Sequence, residues 1–436
     1  MNKILKNKKV LTLLTVVLVI IAACFIYDAT RPKDIQFVST GDLNTARAYH
    51  KSTILNNGNI LITGGYGLLE TEYGPQPKAL DSAELYNPKI NKFIELINMN
   101  LPHEYHSQFL LSNGHVVIMD INGIEIYDPI KNKFSLVNVK IPTRENILNA
   151  HTFTQLKDKI LIMGGITSDN QHVLDTVEVF DASTRKVYEA GKMTIPRFGH
   201  NALAVSPNSI LIFGGTTNDK NNKLQTTTSI EKFDIKTGKS SIIGNMLIPR
   251  EFHKVLILPD NKLLIFGGKT VSYKKRVFQK SKEAPFLIKK TFVTIIPEKT
   301  KERDEVEIYD IKTNKSHLIG TEPHLKGECS DNSIIRLNND NILIIRDKDN
   351  VNPSVIKIFN VKQNKFIEVE NKYKLRKHSS AILLNNRNIY ISGGEKKLSK
   401  FEASLENLEC KLTRICITAL TKETNVLTIN KERIKY

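Results

Sequence analysis

The chain has 436 residues, 40% of them hydrophobic, with no Trp, four Cys and a net charge of +18. That length admits two or three ordinary domains or one large repeat domain. Four cysteines (Cys24, Cys329, Cys410, Cys416) are too few for a disulfide framework, and they lack the paired C-x-x-C spacing of a zinc site.

Lys3, Lys6, Lys8 and Lys9 precede an uncharged apolar run from Val10 to Tyr27. As a helix, this run nearly spans the ~30 Å hydrocarbon core of a bilayer, and its basic flank keeps residues 1–9 cytoplasmic. Two fates are open. The run 10–27 stays as a signal-anchor, or Ile21-Ala22-Ala23-Cys24 acts as a bacterial-type lipobox and Cys24 is lipidated after cleavage. Either fate leaves residues 35–436 membrane-tethered on the extracytoplasmic side, periplasmic or at the cell surface. The positive charge is spread over the whole chain, as on a solvated surface, and no nucleic-acid partner is expected.

After residue 30 helical periodicity is nearly absent, and short strand patterns take over. An eight-residue ruler recurs: Glu, two residues on an aromatic, at once Asp or Asn, and five residues further Lys. Its copies start at Glu84 (with Tyr86), Glu125 (with Tyr127), Glu178, Glu231 and Glu307. A sixth copy, at Lys357, keeps the spacing and loses the Glu. A second mark interleaves with it. An apolar run ends in Gly64-Gly65, Gly164-Gly165, Gly214-Gly215, Gly267-Gly268 and Gly393-Gly394, each pair thirteen to fifteen residues after His50, His151, His200, His253 or His378. His106 opens a further copy with Met119-Asp120 near the Gly-Gly position, and the copy from Asn332 has lost both marks. Between His and Gly-Gly the chain reads as two strands around a polar turn, the ruler supplies a third, and the ruler's Lys starts a fourth. Phe37 precedes His50 by thirteen residues, as Phe93 precedes His106. Ile35–Ser39 is therefore a fourth strand without a unit of its own, and it is expected to complete the last unit and remove the free sheet edges. The stretches 414–420 and 426–429 are candidate strands for the same unit.

Four-stranded units of about fifty residues bearing these marks resemble the kelch family. The resemblance implies an all-β, seven-bladed β-propeller over 35–436, with six blades as the alternative because the copy from Asn332 is so degraded. The Trp that usually opens a kelch fourth strand is absent; Phe93, Phe134 and Phe366 stand in for it in three copies. The repeated His is expected to hold the blade-to-blade link rather than a metal. The ruler Glu is expected to pair with an Arg such as Arg47, Arg197, Arg250 or Arg376. No cofactor or metal and no catalytic set are expected.

Function is then expected in the loops, which vary while the marks repeat. In a four-stranded meander the connections from strand two to strand three share a face with the links between blades. On that face 66–80 carries Tyr66 and Tyr73, and the basic insertion 269–304 has eleven Lys or Arg against four acids. Its candidate binding residues are Lys274, Lys275, Arg276, Lys289 and Lys290, and its apolar runs 284–288 and 291–296 suggest an extra hairpin. A protein or glycan partner, anionic where it meets this insertion, is the favoured reading. The alternative is a carbohydrate-modifying enzyme. Tyr49-His50 and Tyr105-His106 look like the Tyr-His pair of galactose oxidase-type copper propellers, but those enzymes also need a second Tyr, a second His and a thioether-forming Cys, and Cys329, the only Cys of the repeats before the last unit, has no His-Tyr context. The sialic acid epimerase type of bacterial kelch protein is the other form of this alternative.

Overall fold

The computed structural model describes residues 35–69, 76–120, 122–139, 147–167, 172–278, 292–326, 334–338, 340–346, 355–369, 378–384, 388–396, 419–420 and 424–429. Among these residues regular structure is strand apart from two single 3-10 turns, and no helix is long and apolar enough to cross a membrane. The expected membrane segment 10–27 and Cys24 lie outside the described residues, as do Tyr73, Lys289, Lys290, Arg376 and residues 284–288.

Of the eight four-stranded antiparallel sheets among the described residues, seven follow one another along the chain and the eighth is built from two loop hairpins. Sheet one comprises Lys51–Ile54, Ile60–Thr63, Ala83–Asn87 and Lys92–Glu95. Sheets two to six repeat that up-and-down order. They begin at Ser107, Thr152, Asn201, Lys254 and Ile334. Sheet seven takes its first two strands from Ser380–Leu383 and Asn388–Ser392, its third from Thr424–Ile429 and its fourth from Ile35–Ser39. The two distant segments pair from Ile35↔Ile429 to Ser39↔Asn425, so both ends of the described chain share one sheet. Ala419–Leu420 lies elsewhere, against Glu395–Lys396 in a two-stranded loop pair, which corrects the expectation for those two residues, while 414–418 lie outside the described residues.

The apolar runs explain this arrangement. The second strand of each sheet is apolar at consecutive positions and buried on both faces, as in Ile60-Leu61-Ile62, Val116–Met119 and Leu263–Phe266. A strand apolar on both faces must be covered on both. The covering is the neighbouring sheet. One apolar cluster joins Leu61 and Ala83 of sheet one to Val116, Ile118 and Tyr127 of sheet two. The next joins sheets two and three through Val117, Ile126, Ile160 and Phe180. Equivalent clusters continue round. The last places Tyr390 of sheet seven among Ile60, Ile62 and Tyr86 of sheet one, with the Tyr86 and Tyr390 rings stacked 4.8 Å apart. The fourth strands lie outermost and are largely exposed.

Candidate functional site

The ruler is explained by a turn. After the third strand, the Asp or Asn carboxyl or amide oxygen accepts backbone N–H groups two and three residues on, as Asp128 does from Ile130 and Lys131 and Asp310 from Lys312 and Thr313. The residue before the ruler's Lys is left-handed: Asn91, Asn132, Arg185, Gly238, Asn314 and Asn364. Asn tolerates that conformation best after Gly. Tyr86, Tyr127 and Tyr309 bury their rings and donate their hydroxyls to Asn91, Asn132 and Asn314 at 2.8, 3.1 and 2.8 Å. This Asn is part of the signature that the ruler alone did not include.

The ruler Glu ties the incoming link to its sheet. Asn44 and Thr45 donate backbone N–H to Glu84, and Asn100 and Leu101 do the same to Glu125. Leu247 donates likewise to Glu307. Arg47, Arg197 and Arg250, all fully buried, pair with Glu84, Glu231 and Glu307 at 2.9, 2.7 and 2.8 Å. Each also donates to the carbonyl of the first Gly of its pair: Gly64, Gly214 and Gly267.

Sheet two departs from the expected Arg. His103 takes that place, 2.9 Å from Asp120 and 3.4 Å from Glu125. Each ring nitrogen faces one carboxylate, so hydrogen bonding and charge both act on the imidazole. Burial pushes the imidazole down, but the two carboxylates outweigh it and hold it at about 9. Sheet six departs further. Lys357 does not merely lose the Glu: its Nζ lies 2.8 Å from Glu322, which stands on the link, so the buried pair persists with its signs exchanged. What survives in that copy is charge complementarity as well as spacing.

The repeated His and Gly-Gly marks join consecutive sheets. His50 Nε2 meets Ser392 Oγ of sheet seven at 2.9 Å, and His106 Nε2 meets Thr63 Oγ1 of sheet one at 2.7 Å. His200 reaches Thr152 of sheet three at 2.9 Å. Gly65 donates to the His103 carbonyl and Gly394 to the Arg47 carbonyl. A Cβ on Gly64, whose φ is +57°, would strike that same His103 carbonyl. His378 is a correction. It lies fifteen residues before Gly393, where His50 lies fourteen before Gly64. It is left-handed, with φ 54°, like Tyr49, Tyr105, Ala150, Gly199 and Phe252. Its carbonyl accepts from Tyr49 N–H, as Ala150 accepts from Gly199 and Gly199 from Phe252. It therefore corresponds to Tyr49, one position before the repeated His.

These left-handed link residues share a face with the strand two-to-three connections, because the connections of sheets one, four and five bridge a link: Ala48↔Tyr66, Phe198↔Thr216 and Glu251↔Lys269. Two groups occupy this face. The first is aromatic. Tyr49 stacks on His378 with centroids 3.8 Å apart and lies 4.7 Å from Tyr105, while Tyr66 meets Tyr49 and Tyr105 edge-on at 6.0 and 5.7 Å. Tyr105 is 62% exposed. Burial and a hydrogen bond to Glu104 push the Tyr66 hydroxyl pKa up.

The second group is a basic loop sheet. A long hairpin, Lys269–Phe278 with Phe292–Glu302, rises from sheet five and pairs through Gln225↔Ser272 with the shorter hairpin of sheet four. Lys269–Phe278 is thus the hairpin's first strand, where the apolar run 284–288 was expected to serve. Val271 and Tyr273 pack on Phe198, Ile166 and Leu224 beside Ala150. The fold admits this because links three and four carry Ala150 and Gly199 where others carry Tyr49, Tyr105 or Phe252. Glu251, fully buried, accepts from Tyr273 Oη and Thr216 Oγ1, with Lys269 Nζ 3.6 Å away. Lys274 is exposed on the hairpin, whereas for Lys275 and Arg276 the backbone alone is described.

Of the candidate binding residues, Tyr66 therefore belongs to the aromatic group and Lys274 to the hairpin. Tyr105, His378, Glu104, Phe252 and Glu251 join them, none of which loop composition had singled out as a binding residue. Their signal was positional: each stands just before a repeated His or two residues before it, except His378, which takes the link position itself. Among the described residues no three His, Cys, Asp or Glu side chains converge as a metal-ligand set.

The KLHDC2/KLHL20/DRC7 Kelch-repeats domain model matches residues 150–394, more than half of the chain. The chain belongs to the kelch-repeat family. It is similar to the Leucine-zipper-like transcriptional regulator 1 homolog of Drosophila melanogaster, 29% identical over 27% of this chain and 12% of that one. It is also similar to the Rho GTPase-activating protein gacHH of Dictyostelium discoideum, 39% identical over 17% of this chain and 5% of that one. The chain thus spans only a small part of the length of either relative. The solved structure of YjhT aligns with a TM-score of 0.39 and 16% identity, covering 62% of this chain and 83% of that one.

Proposed function

We propose that this kelch-repeat chain is a seven-bladed propeller, membrane-tethered and extracytoplasmic, that binds another protein through its loop face without catalysing a reaction. One observation carries the reading. The repeated marks hold links to sheets or sheets to each other, as Arg47 with Glu84 and His106 with Thr63 do, while the aromatic group and the basic hairpin lie together on one face. Binding residues placed on loops over a rigid scaffold are the usual division of labour. The seven consecutive sheets and the shared terminal sheet support the blade number. The basic flank and apolar run 10–27 support the tether, and the basic hairpin around Lys274 suits an acidic area of the partner. A glycan is the other ligand class for the same face.

A photo-crosslinking residue placed at Lys274 or Tyr105 of the full chain in its own cells tests this. A protein captured from those two positions, and not from the outer-strand position Lys186, is expected. Equal capture from all three positions, or capture of none, would refute the binding-face reading. Protease shaving of intact cells tests the orientation: protection of the propeller would place it on the cytoplasmic side.

A further inference from the structure

We propose that the aromatic group at Tyr49, Tyr66, Tyr105 and His378, with the Glu104 carboxylate, is a recognition site for a cationic side chain, Arg or Lys, of the protein partner. This deepens the loop-face reading and rests on it. Three observations carry it. First, the aromatic rings gather on links one, two and seven and on the sheet-one connection, and Tyr105 leaves most of its surface to solvent. Second, the Tyr66 ring stands at 81° to Tyr49 and 72° to Tyr105, so their faces do not form one plane. Coplanar rings make a platform for a flat or sugar ring. Here the rings pack on one another and leave Tyr105 the most open, so a single exposed ring beside a carboxylate is presented, which suits a compact positive charge. Third, Glu104 adds a carboxylate within hydrogen-bond reach of Tyr66, next in sequence to Tyr105. Arg47 and His103, the cations of the two links that carry Tyr49 and Tyr105, are fully buried and paired with Glu84 and with Asp120 and Glu125.

The chemistry runs against the charge of the chain. A protein of +18 attracts acidic peptides without any site. Selection of basic ones would require a local feature that reverses the preference, and the aromatic group with Glu104 is such a feature.

The test is panning of a phage-displayed random dodecapeptide library on the full chain in mild detergent, at physiological salt. Clones enriched in Arg or Lys are expected, binding about tenfold more weakly to Tyr105→Ala and to Glu104→Gln, and within about twofold to Tyr105→Phe, which keeps the ring. Tyr105 is exposed, so its replacement leaves the sheets intact, and an unchanged melting temperature checks this. Clones that enrich without Arg or Lys, yet compete with one another on the loop face, would overturn the cation inference and leave the face reading standing. Clones insensitive to every loop-face substitution, or no enrichment at all, would overturn both.

Discussion

Placing at the sixth ruler the Glu that the other five copies carry should damage this protein rather than improve it. Lys357 and Glu322 are 8% and 6% exposed and 2.8 Å apart. Lys357→Glu removes the buried positive charge 2.8 Å from Glu322 and sets a like charge beside it. Breaking a buried pair costs about 3–5 kcal/mol, and at an effective dielectric near 20 two charges 4 Å apart contribute about 4 kcal/mol with either sign. A loss of about 3–5 kcal/mol is therefore expected in urea unfolding followed by far-UV circular dichroism. The exchange Glu322→Lys with Lys357→Glu should recover most of it, and Glu322→Met with Lys357→Leu should come within about 1–2 kcal/mol of the natural chain, since a well-packed apolar pair replaces a buried ion pair at little cost. A single Lys357→Glu costing under about 1 kcal/mol, or an exchange no better than the single change, would refute the idea that the pair holds the sheet-six link.

Further outcomes follow from the same contacts. His103 is held at about 9 by Asp120 and Glu125, above its unfolded value of 6.5, so its contribution is complete below pH 6.5 and disappears as pH rises through about 9. The span corresponds to ~3 kcal/mol, read as a fall in stability between pH 7 and 10 that is absent in His103→Gln. His106 and His253 are driven the other way by burial, so the unfolded state binds their protons first and stability should rise as pH increases up to about 6.5. The two trends place the optimum between about pH 6.5 and 7; a stability curve flat from 5 to 10 would contradict both. Gly64→Ala, at φ +57° and against the His103 carbonyl, should cost ~2 kcal/mol or more, measured by calorimetry. Tyr273→Ala should free the long hairpin, seen as faster proteolysis between residues 269 and 302, while the sheets melt within about 2 °C of the natural chain.

The repeat unit was legible because its marks are local. An Asp-led turn with a left-handed Asn needs fixed spacing, and an apolar second strand covered on both sides needs consecutive aliphatic residues. Closure through Ile35–Ser39 was legible for the same reason, since Phe37 keeps its offset from His50. Loop composition pointed to Tyr66 and Lys274 but could not say that they belong to different groups on the face. It also counted His378 with the repeated His, one residue out of register, because a shift of one is invisible until the left-handed link residue is seen.

Spacing and hydrophobic pattern along this chain are sufficient for the kelch unit, its order of strands and the shared terminal sheet, because those depend on contacts within about fifty residues or on one repeated offset. Which charges meet across a link was decided only in three dimensions. Glu322 and Lys357, or His103 with Asp120 and Glu125, come from segments whose pairing no single motif records, and a buried charge takes whatever partner the packed neighbour supplies. The grouping of Tyr49, Tyr66, Tyr105 and His378 is of the same kind, since sheets one and seven become neighbours only when the last sheet packs against the first.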